Sequence, residues 1–275
     1  MNYYVRKPKG QAGLDFETKF VTAINGKKLE DLNPNLSSLF ERIFPGIQKG
    51  DLLLAQKADP RGKSDVSVFT KAGRAEISLK SLNGELVHSS PNDKFVNYLY
   101  EFGVSESSVK TLLQFLYRDG TTDGSGERKW TYEETMFRLA PRIKDFNQEI
   151  NANRDLLQDC ADLALFRGNH REIPAANWLY HGTLESGLAV SRYQISIWMS
   201  KIVDMDFIRN PHIGPFHIKP FAQTMKESAI NKDKLNWLRL KWVSMDANLV
   251  FICDRLPPYR KGPKTKQKIS ELAGC

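Results

Sequence analysis

The stretch "KSDVSVFTKAGRAEISLKS", from Lys63 to Ser81, sets an acid at the start of one short run of β-forming residues and an acid, a hydroxyl and a lysine along the next. The turn between the runs, "KAGR", contains a glycine. Side chains on a strand alternate between faces, so Glu76, Ser78 and Lys80 share one face while Ile77 and Leu79 point to the other. Asp65 opens the neighbouring strand, and a turn this short brings it beside residues 76 to 80. Two carboxylates, a hydroxyl and an ammonium in one patch suit the hydrolysis of a phosphodiester. A hard divalent ion, Mg²⁺ or Mn²⁺ in its place, takes oxygen ligands and keeps several waters. It polarises the phosphate and acidifies a bound water. A nearby lysine stabilises the developing charge and orients or deprotonates the attacking water. The competing reading is a solvated hairpin face with a surface salt bridge, which contributes little.

Basic residues surround this patch. Lys57, Arg61 and Lys63 lie in "QKADPRGK", directly before Asp65, where they would meet the backbone of DNA. The alternative is a basic loop with no partner. The segment "RLPPYRKGPKTKQK", which includes Arg260 and Lys261, is basic and rich in proline. It is suited to gripping phosphate rather than reading bases. "RGNHRE" from Arg167 and "SRYQ" from Ser191 hold residue types that read base edges. The five histidines form no zinc-ligand spacing, and His88 is expected on the surface. Cys253, in "VFICD", reads as a small core residue.

The elements that must position the patch follow from periodicity. "GLDFETKFVTAING" places Leu14, Phe16, Phe20, Val21 and Ile24 near helical spacing and ends in glycine. "NLSSLFERIFPG" is a second helix, stopped by Pro45 and Gly46. "DLLLAQKAD", "DVSVFT" and "AEISLKSL" make a three-stranded meander. "DKFVNYLYEFG" and "SESSVKTLLQFLYRDG" are helices, the second with a serine cap. "TTDGSGERK" is loop. The region from Thr131 to Gly168 is helical with an interruption expected near Pro141. "GTLESGLAVSRYQISIWMSKIV" fits helix and strand equally. "KLNWLRLKWVSM" alternates as a strand, with "NLVFICDRL" as its expected partner.

A chain of 275 residues, 41% hydrophobic, has room for one large domain or two small ones. A net charge of +8 favours a polyanionic partner. Three widely spaced cysteines without a CxxC argue against a disulfide framework or structural zinc, so a reducing, cytoplasmic setting is expected. No run of signal-peptide or membrane-spanning character is present, and no membrane partner is expected.

The order of a helix carrying "GLDFE", a strand opened by "SD" and a strand ending "ISLK" resembles the PD-(D/E)XK nuclease superfamily, and within it the type II restriction endonucleases. The resemblance covers roughly residues 13 to 82. It implies an α/β fold with a central mixed β-sheet flanked by helices. It implies that Asp65 is a metal ligand, that Lys80 is the catalytic lysine, and that Glu17 matches an extra helical glutamate of many members. Glu17 also reads as a helix acid favoured by the dipole. Two positions depart from the pattern: Ser78 stands where the family has an acid, and Ser64 where it often has proline. Glu76, two residues back on the same face, is the alternative second ligand, and Ser78 is a candidate to bind a metal-bound water. The resemblance implies a single nuclease domain over 1–275, with a catalytic core at about 13–118. Residues 119–275 would complete the fold and recognise double-stranded DNA, in a monomer or a homodimer. The implied activity is Mg²⁺-dependent, site-specific cleavage of duplex DNA. A nuclease-like fold that binds nucleic acid without cutting it, and a nuclease for RNA or branched DNA, are the other readings.

Overall fold

The computed structural model describes residues 11–82, 85–170, 172–201, 209–222 and 234–243, with Met245, Leu249 and Ile252. In chain order these residues form α1 (Gln11–Ile24), β1 (Lys27–Lys28), a 3-10 turn (Leu29–Asp31), α2 (Pro34–Ile43), β2 (Leu52–Lys57), β3 (Val66–Thr70), β4 (Gly73–Lys80) and β5 (Leu86–Pro91). There follow α3 (Asn92–Glu101), α4 (Glu106–Tyr117), α5 (Tyr132–Ala152), α6 (Arg154–Asp162), a π-helical turn (Leu163–Arg167), β6 (Trp178–Gly182), β7 (Gly187–Ser191), α7 (Arg192–Lys201), β8 (His212–Ile213), β9 (Phe216–Pro220) and β10 (Trp237–Trp242). The chain divides into two compact units. The first is built from residues up to Gly84, Leu165–Ile195 and the residues from Ser244 on; the second from Glu85–Ala164 and Ser196–Val243.

The first unit holds a six-stranded sheet in the order β1-β2-β3-β4-β6-β7. β2, β3 and β4 are an antiparallel meander, as their alternation predicts. β4 pairs parallel with β6, which makes the sheet mixed. The fold is thus α/β with helices against a mixed sheet. Residues 119–275 supply β6 and β7 to the same sheet that holds the hairpin.

Helix α2 starts where Asn33 accepts the Leu36 N–H at 2.9 Å, with Pro34 in the first turn. Its buried residues Leu36, Leu39, Phe40 and Ile43 recur at helical spacing. They share one apolar cluster with Phe20 and Ile24 of α1 and with Leu53, Ala55, Val66, Val68, Ala75, Ile77 and Leu79 of the meander. β6 and β7 close the cluster through Tyr180, whose ring lies 5.6 Å from that of Phe20. The Tyr180 hydroxyl accepts from Asn35 at 2.7 Å and donates to the Thr183 carbonyl at 2.5 Å. A Cβ on Gly187 would fall 2.3 Å from that hydroxyl, so the strand opposite Tyr180 needs glycine there.

The second unit holds a four-stranded sheet in the order β5-β10-β9-β8, with helices α3 to α6. Ser105 caps α4, as its sequence predicts. Three expectations are corrected here. Helix α5 runs unbroken through Pro141, because that residue is on the exposed face, where water can satisfy the carbonyl left without an amide. The break falls at Asn153, whose side chain accepts the Leu156 N–H at 3.0 Å and starts α6. Strand β10 is flanked by β5 and β9 rather than by "NLVFICDRL", most of which, with Cys253, lies outside the described residues. His88 is buried at 5% exposure within β5, not on the surface. The ambiguous segment resolves as β7 followed by α7. Among the described residues no helix is long and apolar enough to cross a membrane. Cys160 is buried, and burial pushes its thiol pKa up.

Candidate functional site

The hairpin β3–β4 pairs Ser67 with Glu76 and Val66 with Ile77. Ile77 and Leu79 face the apolar cluster, which anchors the strand and fixes the opposite face. Asp65 enters the hairpin by donating its N–H to the Ile77 carbonyl at 2.9 Å. Its Oδ2 accepts the Leu79 N–H at 2.6 Å and stands 3.7 Å from the Lys80 ammonium. Lys80 also donates to Ser78 Oγ at 2.9 Å and to the Leu79 carbonyl at 3.1 Å. Two hydrogen bonds and one ion pair therefore hold the ammonium at the end of β4. Lys80 and Asp65 side chains are only 16% and 25% exposed, which strengthens their interaction over that of a surface pair.

Glu17 of α1 belongs to the same group. Its carboxyl pKa is raised, first by burial and then by the charge of Asp65, while Lys57 and Lys80 act to lower it. Lys57, at the end of β2, lies 3.8 Å from Glu17 Oε2. Two carboxylates press on each other in a partly desolvated place, and two lysines offset this incompletely. A cation between them would relieve the repulsion.

Lys63 is half-buried, its stem against Gly168, where a Cβ would stand 3.2 Å from Lys63 Cγ. Burial, and next the charge of Lys80, push its pKa down to about 7, against the pull of Asp65. Arg61 is instead an exposed partner of Asp59, bound through Nε at 3.0 Å and a terminal nitrogen at 2.7 Å. That pairing draws the Asp59 carboxyl down to about 2. Arg260 and Lys261 lie outside the described residues.

Glu76 has a different environment. Both its oxygens are taken up: Ser64 donates at 2.7 Å, Ser67 at 2.8 and 2.9 Å, and Arg74 Nε at 2.6 Å. A second Arg74 nitrogen stands at 2.5 Å. The strand around Glu76 is clamped too, because Asn177 accepts its N–H and donates to its carbonyl, each at 2.8 Å. The sequence alone did not point to Ser64, Ser67, Arg74 and Asn177 as partners of Glu76. Arg74 was within reach, two residues before Glu76 on one face, and so was Ser67, the cross-strand neighbour. Ser78 is fully buried and serves Lys80.

Among the described residues no group of three or more histidine, cysteine, aspartate or glutamate side chains is arranged to hold a metal. The two carboxylates Asp65 and Glu17 are the donor set the site offers, which fits a hard ion that keeps most of its waters, such as Mg²⁺, and not a fully protein-ligated ion. No family model and no curated protein matches the chain.

Proposed function

We propose that the chain is a Mg²⁺-dependent endonuclease acting on double-stranded DNA, on a restriction-endonuclease-like fold of the PD-(D/E)XK kind. The observation that supports this most is the juxtaposition of Lys80 with Asp65 at the end of β4, with Glu17 close enough for its carboxyl to feel the Asp65 charge. Asp65 and Glu17 would hold the ion, which supplies charge neutralisation at the phosphate and an acidified water. Lys80 places its ammonium against the reacting phosphate and the attacking water, and Ser78 and the Leu79 carbonyl fix its direction. Lys57, 3.8 Å from Glu17, adds positive charge beside the carboxylates, and Lys63, its pKa pushed down to about 7, is a second and only partly charged contact for the backbone.

One observation favours a non-catalytic nucleic-acid-binding protein. Ser78 contributes no carboxylate, and Glu76, the nearest substitute, is fully engaged by Ser64, Ser67 and Arg74. Incubation of unmethylated plasmid and phage DNA with the protein, in Mg²⁺ and in EDTA, beside Lys80→Ala, separates the readings. Discrete Mg²⁺-dependent fragments that vanish in the variant are expected. Equal cleavage by Lys80→Ala would end the assignment. Binding without cleavage of any duplex, RNA or branched substrate would select the binding protein.

A further inference from the structure

The sheet of the second unit has two unlike faces. Phe216, Ile218, Leu238, Leu240 and Trp242 are all fully buried on one side. The alternate residues of β9 and β10, His217, Lys219, Trp237, Arg239 and Lys241, are half-buried on the other. The register sets Lys219 directly opposite Arg239, and His217 opposite Lys241. Two cations opposed across neighbouring strands, as Lys219 and Arg239 are, cost stability, so a protein gains nothing in folding by keeping them. Among the described residues no carboxylate comes within ion-pair distance of Lys219 or Lys241. Lys219 feels the repulsion of Lys241 more strongly than the attraction of Glu85. The positive charge continues past the strand end, where Arg239 stacks 3.7 Å from the Phe221 ring centre and the Lys234 ammonium sits 5.0 Å from the same ring. Stacking fixes the plane of the Arg239 guanidinium.

We propose that this face of the β5-β10-β9-β8 sheet is a phosphate-gripping surface for the backbone of duplex DNA, with Lys219, Arg239 and Lys241 as its contacts. Cations on a rigid sheet, with no carboxylate among the described residues at ion-pair distance from the two lysines, fit a polyanion of regular charge spacing better than they fit a mixed-charge protein surface. The choice of duplex DNA rests on the nuclease reading above; the cationic face itself does not.

The test is binding of a fluorescein-labelled 30-base-pair duplex by the full chain, in EDTA so that nothing is cut, followed by anisotropy across a sodium chloride titration. For Lys219→Gln/Arg239→Gln/Lys241→Gln, affinity should fall at least tenfold. The slope of log affinity against log salt should become shallower by about 2.7, at ~0.9 for each phosphate that the variant no longer neutralises. Lys219→Arg/Lys241→Arg should keep both quantities near wild type. The single variants Lys219→Gln and Lys241→Gln, each lowering the slope by about 0.9, give the same readout should the triple variant fail to fold. Wild-type affinity and slope in the folded glutamine variants would overturn the proposal. So would retained duplex binding with lost binding to phosphatidylserine vesicles, which would make the face a membrane contact. If the wild type cuts no duplex yet the triple variant loses duplex binding, the nuclease reading fails and this one stands.

Discussion

The Lys80 ammonium stands 3.7 Å from Oδ2 of Asp65, the same oxygen that accepts the Leu79 N–H at 2.6 Å. One carboxylate oxygen thus ties the start of β3 to the end of β4 and aligns the lysine beside it. The backbone contact keeps Asp65 in place even when the lysine is removed. Lys80→Ala should therefore leave the hairpin folded and duplex binding intact while cleavage falls by about 10²–10⁴-fold, the usual scale for losing a positioned proton-transfer or charge-stabilising group. Single-turnover cleavage beside a binding isotherm checks this.

Glu76 should respond differently. Its truncation to alanine leaves the Ser67 hydroxyl buried without its acceptor, Ser64 with only the longer contact to the Val66 carbonyl at 3.2 Å, and Arg74 without its ion-pair partner. A loss of ~2–4 kcal/mol in unfolding free energy is expected, since a charged acceptor with several buried donors is removed. Urea denaturation of Glu76→Ala measures it. A variant with wild-type stability and no Mg²⁺-dependent cleavage would instead make Glu76 a ligand.

Those two residues mark what could be read in the sequence. The meander was legible because "DLLLAQK", "DVSVFT" and "AEISLK" alternate with period two, and the turn between Thr70 and Gly73 is short enough to bring Asp65 to Lys80. Each contact there is local. The role of Glu76 was not legible, because Ser64 and Asn177 reach it from outside the strand, the latter from 101 positions away. Strand β5 was missed for a like reason. "LVHSSP" has little alternation, and its partner β10 lies far along the chain. The break at Asn153 was obscured by Pro141, which normally ends or kinks a helix but here lies on an exposed face inside an unbroken one. The cationic face of β9 and β10 needed the pairing of two separate strands before its charges could be seen as neighbours.

Glu17 links the site to pH. Its folded pKa is raised by burial and by Asp65, so its ionisation works against the fold. The sign follows from proton uptake: the folded protein holds this proton more tightly than the unfolded chain. The penalty is absent below the unfolded glutamate pKa and is fully present above the folded one. Glu17→Gln should therefore raise the melting temperature in EDTA at pH 7.5 and lose that advantage as the pH falls below about 4. Mg²⁺ should narrow the difference at pH 7.5, because it stabilises the wild type and has one ligand fewer in the variant. Calorimetric melts at the two pH values, with and without Mg²⁺, test both statements.

His217 makes the opposite prediction at acid pH. Burial first, and then Lys219, His212 and Lys241, push its pKa down to about 4. Its ring is thus neutral in the fold at pH 7, and it adds no charge to the cationic face. The unfolded chain takes up a proton near pH 6.5, while the folded protein resists until about pH 4. Stability from this group is intact above pH 6.5 and declines as the pH falls toward 4. Replacement with glutamine removes the titration and keeps polar character on the half-buried face. His217→Gln should therefore flatten the fall in melting temperature between pH 6.5 and 4 without changing duplex affinity at pH 7.5. A parallel pH-dependent decline in variant and wild type would show that the acid sensitivity lies elsewhere, in the carboxylates whose pKa values the fold lowers, such as Glu149 with its Ser105 and Ser108 donors.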